Sequence, residues 1–300
     1  MRAARFHSYG APGVLVVEDA PEPQAGEGSV RIKVHATSVN PIDVLLRAGH
    51  LAPFLPLTLP AVPGRDAVGV VDEVGAGVTD AHVGDTVFGL GGISDTTAEF
   101  AVLTAWSTVP EGWSTAQAAA AGLASATAAA VIDALGDLNG KTFLIEGASG
   151  AVGSAAAAFA LAAGATVIGT GRESNHPYLE SLGVLATAYG PGLAERVAAL
   201  APGGVDAALH SAPSDSLPDL LSIVGDTSQV VTVIDDQGAQ QLGLRKIDAR
   251  NDSALLRYAA ALGREGLYTP RVDREFSLAD IVEAHTLAEN ASGKVVVLQP

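Results

Sequence analysis

Leu144-Ile-Glu-Gly-Ala-Ser-Gly-Ala-Val-Gly-Ser154 is the stretch from which the rest of the chain is read. An apolar run enters a turn carrying Gly147, Gly150 and Gly153, and an Ala-rich run leaves it. Glycines let a backbone turn sharply and let a diphosphate approach, while a helix beginning there offers free N–H groups and a positive dipole end. Gly153 also permits close packing of helix on strand. Residues 147–153, with Ala151 and Val152 opening the helix, therefore form a candidate diphosphate cradle. A glycine triplet alone would equally fit a plain strand-to-helix turn in an Ala- and Gly-rich protein. The strand before it, the long helix after it and a second strand at 166–170 favour a dinucleotide. The spacing is G-x-x-G-x-x-G rather than G-x-G-x-x-G.

The end of that second strand selects the cofactor. Sites for NAD usually place Asp or Glu there, on the ribose 2′-hydroxyl. This chain reads Thr170-Gly171-Arg172. Gly171 leaves room, and Arg172 can fork onto a 2′-phosphate, which points to NADPH. The adjacent Glu173 works against that pairing, and Arg172 is otherwise a solvated loop cation.

Outward from the turn, strands and helices alternate. Strands are expected at 143–146, 166–170, 206–209 and 229–234, and helices at 151–163, 176–182, 193–200 and 217–223. Parallel strands joined by helices build an α/β, doubly wound Rossmann sheet. Before residue 110 the texture differs: residues 14–18, 29–38, 67–74, 86–89 and 98–102 read as short strands between Gly, Pro and Asp. Residues 40–48 are the exception, a short helix ended by Gly49. Ser114 and Gln117 form a capping box ahead of an Ala-rich helix. The tail predicts a helix at 253–263, another opening at Ser277 with Asp280 in the capping position, and a last strand at 294–298. Two other motifs fail. The P-loop-like segment at 136–142 is one residue short and precedes a strand. None of the five tyrosines has a lysine four positions on, as short-chain dehydrogenases require.

Composition narrows the functions. Three hundred residues with 48% hydrophobic content suffice for about two domains. A net charge of −16, from 33 acids and 17 bases, repels nucleic acid and anionic lipid. Cysteine is absent, which removes disulfides, thiolate catalysis and cysteine zinc sites, and fits a cytoplasmic protein. The start of the chain has no apolar signal-peptide core. The Ala-rich stretches at 116–135 and 154–168 carry polar residues and read as buried helices, not membrane spans.

Several segments together resemble the medium-chain dehydrogenase/reductase superfamily, most closely its zinc-independent quinone oxidoreductase branch, which includes zeta-crystallin. They are Ser38-Val-Asn-Pro-Ile-Asp43 with Arg47 and Gly49, Pro63-Gly-Arg-Asp-Ala-Val-Gly69, Val83-Gly-Asp-Thr-Val-Phe-Gly89, Ala98-Glu-Phe100, the helix at 118–127, Gly204-Val-Asp206 and Gly293-Lys-Val-Val296. The resemblance implies a GroES-like β-rich catalytic domain at 1–116, completed by 253–300, and a Rossmann NADPH-binding domain at 117–252, with the active site in the cleft between them. Zinc-dependent relatives carry a Cys near the position of Asn40 and Gly-His-Glu where Gly64-Arg65-Asp66 stands, so no metal is expected. The tyrosine common after the R-x-G segment is missing, and His50-Leu51 takes its place.

Hydride donation to an electron-poor, small-molecule acceptor is then the expected chemistry: a quinone, or the β-carbon of an α,β-unsaturated carbonyl compound. Asn40 either donates to the acceptor or the nicotinamide ribose, or is a turn-forming residue before Pro41. Thr127 faces the nicotinamide by resemblance, or bonds its own helix. His50 either gives a proton in place of the missing tyrosine or caps a helix in solvent. Asp43 and Arg47 are spaced for a helix-face ion pair. Ser149 and Tyr189 match positions that meet the pyrophosphate or adenosine phosphate in relatives, although Tyr189 equally closes a strand edge. Asn175 and His176 lie near a phosphate-binding position of relatives, or form an N-cap before Pro177. His210 ends a strand near the expected nicotinamide ribose, or is simply a buried, hydrogen-bonded residue. Two rival functions are a trans-acting enoyl reductase of a biosynthetic pathway and a non-catalytic NADPH-binding sensor. By resemblance the protein is a homodimer, paired through the strand at 229–234 at a sheet edge.

Overall fold

The computed structural model describes residues 1–289 and 293–300, which divide into two compact units. One comprises Met1–Leu123, Asn251–Arg264 and Thr269–Pro300; the other comprises Ala124–Arg250 and Glu265–Tyr268.

The first unit is β-rich. Strands β1 (Arg2–Phe6) and β2 (Leu15–Asp19) form an antiparallel pair. They are followed by β3 (Val30–Val39), helix α1 (Pro41–Ala48), β4 (Asp66–Val74), β5 (Thr86–Leu90), β6 (Phe100–Leu103) and β7 (Ala105–Thr108). In β3 the first six residues alternate apolar and polar, and Val30, Ile32 and Val34 turn inward while Lys33 and His35 face solvent. These three pack with Ala67, Val71, Val87, Leu103 and Trp106 in one core. Strand order is β14-β15-β3-β4-β5-β7, with β6 also on β3, where β14 is Val272–Ser277 and β15 is Lys294–Leu298. The C-terminal segment thus completes this sheet. A second core joins Phe6, Leu15, Val39, Val295 and Val297 to helix α9 (Ile281–Ala288) through Ile281 and Ala284. Helix α8 (Ser253–Arg264) also belongs to this unit, and the Ser253 Oγ accepts the Trp106 N–H at 3.0 Å.

The two units meet in sequence inside helix α2 (Thr115–Leu135), after Leu123. The Leu123 N–H donates to Asp66 Oδ2 at 2.9 Å, which ties the first half of α2 to β4. The capping box at its start forms in both directions, Ser114 N–H to Gln117 Oε1 at 2.8 Å and Gln117 N–H to Ser114 Oγ at 3.1 Å. Helix α2 is long and apolar enough to cross a membrane, and 78% of its apolar window is buried inside the protein.

The second unit alternates β8 (Thr142–Glu146), α3 (Ala151–Ala162), β9 (Thr166–Thr170), α4 (His176–Ser181), β10 (Leu185–Thr187), α5 (Leu193–Leu200), β11 (Ala207–His210), α6 (Leu217–Val224), β12 (Val230–Thr232), α7 (Asp236–Leu242) and β13 (Arg245–Lys246). All pairs are parallel, in the order β10-β9-β8-β11-β12-β13. The chain leaves β8 in one direction and returns to the other side at β11, so the order reverses between those two strands. Ligands of such sheets bind outside the carboxyl ends at that reversal. The strand expected at 229–234 is shorter and is not an edge. The two-residue β13 covers it, pairing Val231 with Arg245 and Thr232 with Lys246. Residues 236–246 lack a periodic signal long enough to announce this extra helix and strand. Glu265–Tyr268 joins this unit, where the buried Tyr268 ring stands edge-on to Phe159 with centroids 5.1 Å apart.

Candidate functional site

In the second unit the turn after β8 has the geometry the glycines demand. Gly147 has φ +75°, and Gly150 is the N-cap of the twelve-residue α3. A Cβ on Gly153 would overlap the Gly147 carbonyl oxygen and stand 2.8 Å from Ala148 Cα, so no other residue lets α3 start this close to the turn. The turn is braced on β9: the Gly147 N–H donates to Thr170 Oγ1 at 3.3 Å and the Ala148 N–H to the Thr170 carbonyl at 3.1 Å. The N–H groups of Ala151, Val152 and Gly153 belong to the first turn of α3 and lie beyond the reach of intrahelical acceptors. This cradle fits a dinucleotide diphosphate.

At the end of β9, Gly171 lies within 3.5 Å of Ser149 Oγ, measured from where its Cβ would be. The Asn175 side chain makes no cap to α4; its Nδ2 donates to Ser149 Oγ at 3.2 Å instead. Asn175 therefore stands at the N-cap position ahead of Pro177, as its plainer alternative expected, while its amide faces the glycine turn. His176 Nε2 lies 3.3 Å from the Gly171 carbonyl. Arg172 projects into solvent beside this group. Ser149, Gly171 and Asn175 thus lie together, with the exposed Arg172 next to Gly171 in the chain. Tyr189 is half exposed at 53%, and its carbonyl, with those of Ala188, Gly190 and Pro191, accepts hydrogen bonds from Arg196. Thr127 is nearly buried on α2.

His210 is fully buried, as its plainer alternative expected. It is the last residue of β11 and pairs in register with Glu146, the last of β8, and with Thr232, the last of β12. Thr232 Oγ1 accepts the Ile234 and Asp235 N–H groups at 3.2 and 3.1 Å, and it lies 3.0 Å from His210 Nδ1 and 3.4 Å from the His210 carbonyl. His210 Nε2 faces Ser214 Oγ at 3.2 Å and Glu146 Oε2 at 3.5 Å. Ser214 Oγ donates to Glu146 Oε1 at 2.9 Å, and Ser216 Oγ donates to Glu146 Oε2.

In the first unit Asn40 is 2% exposed and every polar group it has is engaged. Its N–H and Nδ2 donate to Asp43 Oδ2 at 2.8 and 3.2 Å, Nδ2 also donates to Asp66 Oδ1 at 3.0 Å, and Oδ1 accepts from Lys294 Nζ. Ser38 Oγ donates to Asp66 Oδ1 at 2.6 Å and accepts from Lys294 Nζ at 3.1 Å. Two buried carboxyls therefore share one buried ammonium. Burial, and then the charge of Asp66, push the Asp43 carboxyl up to about 7, against the pull of Asn40 and Lys294. The expected Asp43–Arg47 ion pair does not form. Asp43 turns back to cap α1 through Asn40, and Arg47 Nη2 pairs with Glu289 Oε1 at 2.8 Å. His50 is exposed in the turn after Gly49. Asp66, Lys294 and Glu146 were not expected as members of any site. Each was legible only as part of a family motif or a strand end. Among the described residues no three His, Cys, Asp or Glu side chains cluster as a metal would need.

Comparison with known proteins places the chain in a family. Residues 26–123 match the GroES-like domain of alcohol dehydrogenases, and residues 189–297 match the zinc-binding dehydrogenase family. A quinone oxidoreductase of Pongo abelii is 32% identical over 330 aligned residues, spanning 99% of this chain and 98% of that protein. The quinone oxidoreductase of Coxiella burnetii superposes with a TM-score of 0.84 at 28% identity over 99% of both chains. A mycobacterial protein solved in complex with NADPH superposes at 0.82 with 27% identity, over 99% of this chain and 100% of that one. With its GroES-like unit, its doubly wound unit and a full-length relative above 30% identity, the chain belongs to the zeta-crystallin-like quinone oxidoreductases of the medium-chain dehydrogenase/reductase superfamily, and it is an oxidoreductase.

Proposed function

We propose that this protein transfers hydride from NADPH to quinones or α,β-unsaturated carbonyl compounds, with no metal taking part. The reading rests on one observation above all: Gly153 closes α3 onto a braced glycine turn, while β9 is followed by Gly171 and a solvent-facing Arg172 in place of an acid. Held there, NADPH supplies the hydride. Gly147, Gly150, Ala151, Val152 and Gly153 hold the diphosphate by backbone N–H groups and the dipole of α3. Arg172, with Asn175 and Ser149 beside it, holds the 2′-phosphate, and Tyr189 and Thr127 add contacts to the nucleotide. His50 carries an exposed imidazole, a group suited to giving a proton to the reduced acceptor. Asn40 acts through the network that fixes the start of α1. A homodimer in the cytoplasm belongs to the same reading; sedimentation and cell fractionation test those two points.

The direct test is a fluorescence titration with NADPH and NADH, followed by oxidation of the preferred nucleotide against a panel of quinones, enones and enoyl thioesters. The expected result is tighter NADPH binding and turnover with quinones or enones. Absence of any response to either nucleotide at millimolar concentration overturns the proposal.

A further inference from the structure

Glu146 presents a problem that the nucleotide reading leaves unsolved. It puts a carboxyl, 2% exposed, directly beneath a turn shaped for a diphosphate, where negative charge is unwelcome. Among the described residues its partners are Ser214, Ser216 and His210, with no Lys or Arg. Two hydroxyl donors therefore converge on this carboxyl, with His210 Nε2 3.5 Å from Oε2. The two serines arrive from the short segment 211–216, which is also fixed by Ser211 Oγ donating to the Glu146 carbonyl at 2.6 Å. That segment lies against the turn itself, since a Cβ on Gly147 would stand 2.7 Å from Ala212 Cβ. Ser214 is on an exposed residue, and Ser216 is half-buried.

The sheet says which part of a dinucleotide comes here. The adenosine ribose belongs at the end of β9 and the diphosphate at the turn after β8. The second nucleotide then extends to the other side of the turn, over the end of β11, where Glu146 and His210 face each other in register. A ribose offers two neighbouring hydroxyls, which is what Ser214 and Ser216 already offer to Glu146.

We infer that Glu146 is the acceptor for the ribose diol of the cofactor's nicotinamide half, and that Ser214 and Ser216 hold its place in the free protein as an internal competitor. Hydroxyls exchange for hydroxyls, so the buried carboxyl keeps its donors throughout and the segment 211–216 is released when the nucleotide binds. His210 is a positioning residue: it contacts Thr232 through Nδ1 on one side, and on the other its Nε2 meets Ser214 Oγ, 3.5 Å from Glu146 Oε2. The inference rests on the dinucleotide reading given above.

The test compares NADPH with adenosine 2′,5′-bisphosphate, which keeps the 2′-phosphate and lacks the second ribose. Both are titrated calorimetrically into the wild type, Glu146→Ala, and the double variant Ser214→Ala with Ser216→Ala. Glu146→Ala is expected to weaken NADPH by roughly tenfold or more, the scale of a hydrogen bond to a charged group, with bisphosphate binding unchanged. The double variant is expected to bind NADPH more tightly, again with no change for the bisphosphate. A wild type that binds neither ligand overturns the dinucleotide reading and this inference with it. A wild type that binds both, with equal losses for the two ligands in Glu146→Ala or no tightening in the double variant, overturns this inference alone. Should Glu146→Ala fail to fold, the double variant decides.

Discussion

Replacing Asp43 by Asn should leave the fold intact and expose a pH dependence of stability that the wild type conceals. Asp43 is held up at about 7, from an ordinary 3.8, mainly by burial and then by Asp66. On helix α9 of the same unit, His285 is pushed down to about 3 from 6.5, mainly by burial and then by the Arg47 charge. The signs oppose. Between 3.8 and about 7 the folded Asp43 keeps a proton that the unfolded chain has lost, so its contribution is complete at low pH and falls as pH rises. Between about 3 and 6.5 the folded His285 refuses a proton that the unfolded chain accepts, so its contribution is complete at higher pH and falls as pH drops.

Each unit of pH moves a one-proton difference by about 1.36 kcal/mol. The full shifts correspond to about 4 kcal/mol for Asp43 and about 5 kcal/mol for His285, and within the shared window they cancel. Urea unfolding at about pH 4.5 and about pH 6, read as variant minus wild type, removes the background of all other titrating groups. Asp43→Asn should gain about 2 kcal/mol relative to the wild type on going from the lower to the higher pH, and His285→Gln should lose about as much. The double variant should run parallel to the wild type. If the Asp43→Asn difference stays constant across the window, the proton is not on Asp43 and the assignment fails.

Three further outcomes follow from the same geometry. Lys294→Met removes a buried ammonium from two buried carboxyls and should cost about 3–5 kcal/mol in urea unfolding at neutral pH, with Asp66→Asn recovering part of the loss. Gly153→Ala drives a methyl into the Gly147 carbonyl and should lower stability by about 1–3 kcal/mol and abolish NADPH binding by fluorescence titration. Arg172→Ala should weaken NADPH about tenfold, as the loss of a charge-assisted hydrogen bond implies, and leave NADH almost unchanged in the same titration.

What could be read from the sequence was what is local. The glycine turn, the alternation that builds the doubly wound sheet, the Ser114–Gln117 box and the helix stopped by Gly49 are all decided within a few residues, by backbone conformation and side-chain period. Edge elements escaped because they carry little apolar pattern. In β14, Val272-Asp-Arg-Glu-Phe-Ser277 is polar along most of its length, and β13 is only two residues long. The same blindness placed 229–234 at an edge that β13 covers.

Side-chain partnership was the deeper loss, and Asp43 with Arg47 shows why. Four residues apart on one helix, they satisfy the spacing rule for an ion pair, yet each finds a better partner elsewhere. Asp43 can satisfy the orphan N–H at the start of its own helix, which no cation does. Arg47 meets a carboxyl that lies 242 residues away in sequence. Lys294 stands 254 residues from Asn40, and only the antiparallel pairing of β15 with β3 brings them together. A buried charge is tolerated only where its counter-charge and hydrogen bonds are already fixed by the fold. It follows that the polar groups governing this protein's pH response are set by sheet register, and the sequence reveals them only once that register is known.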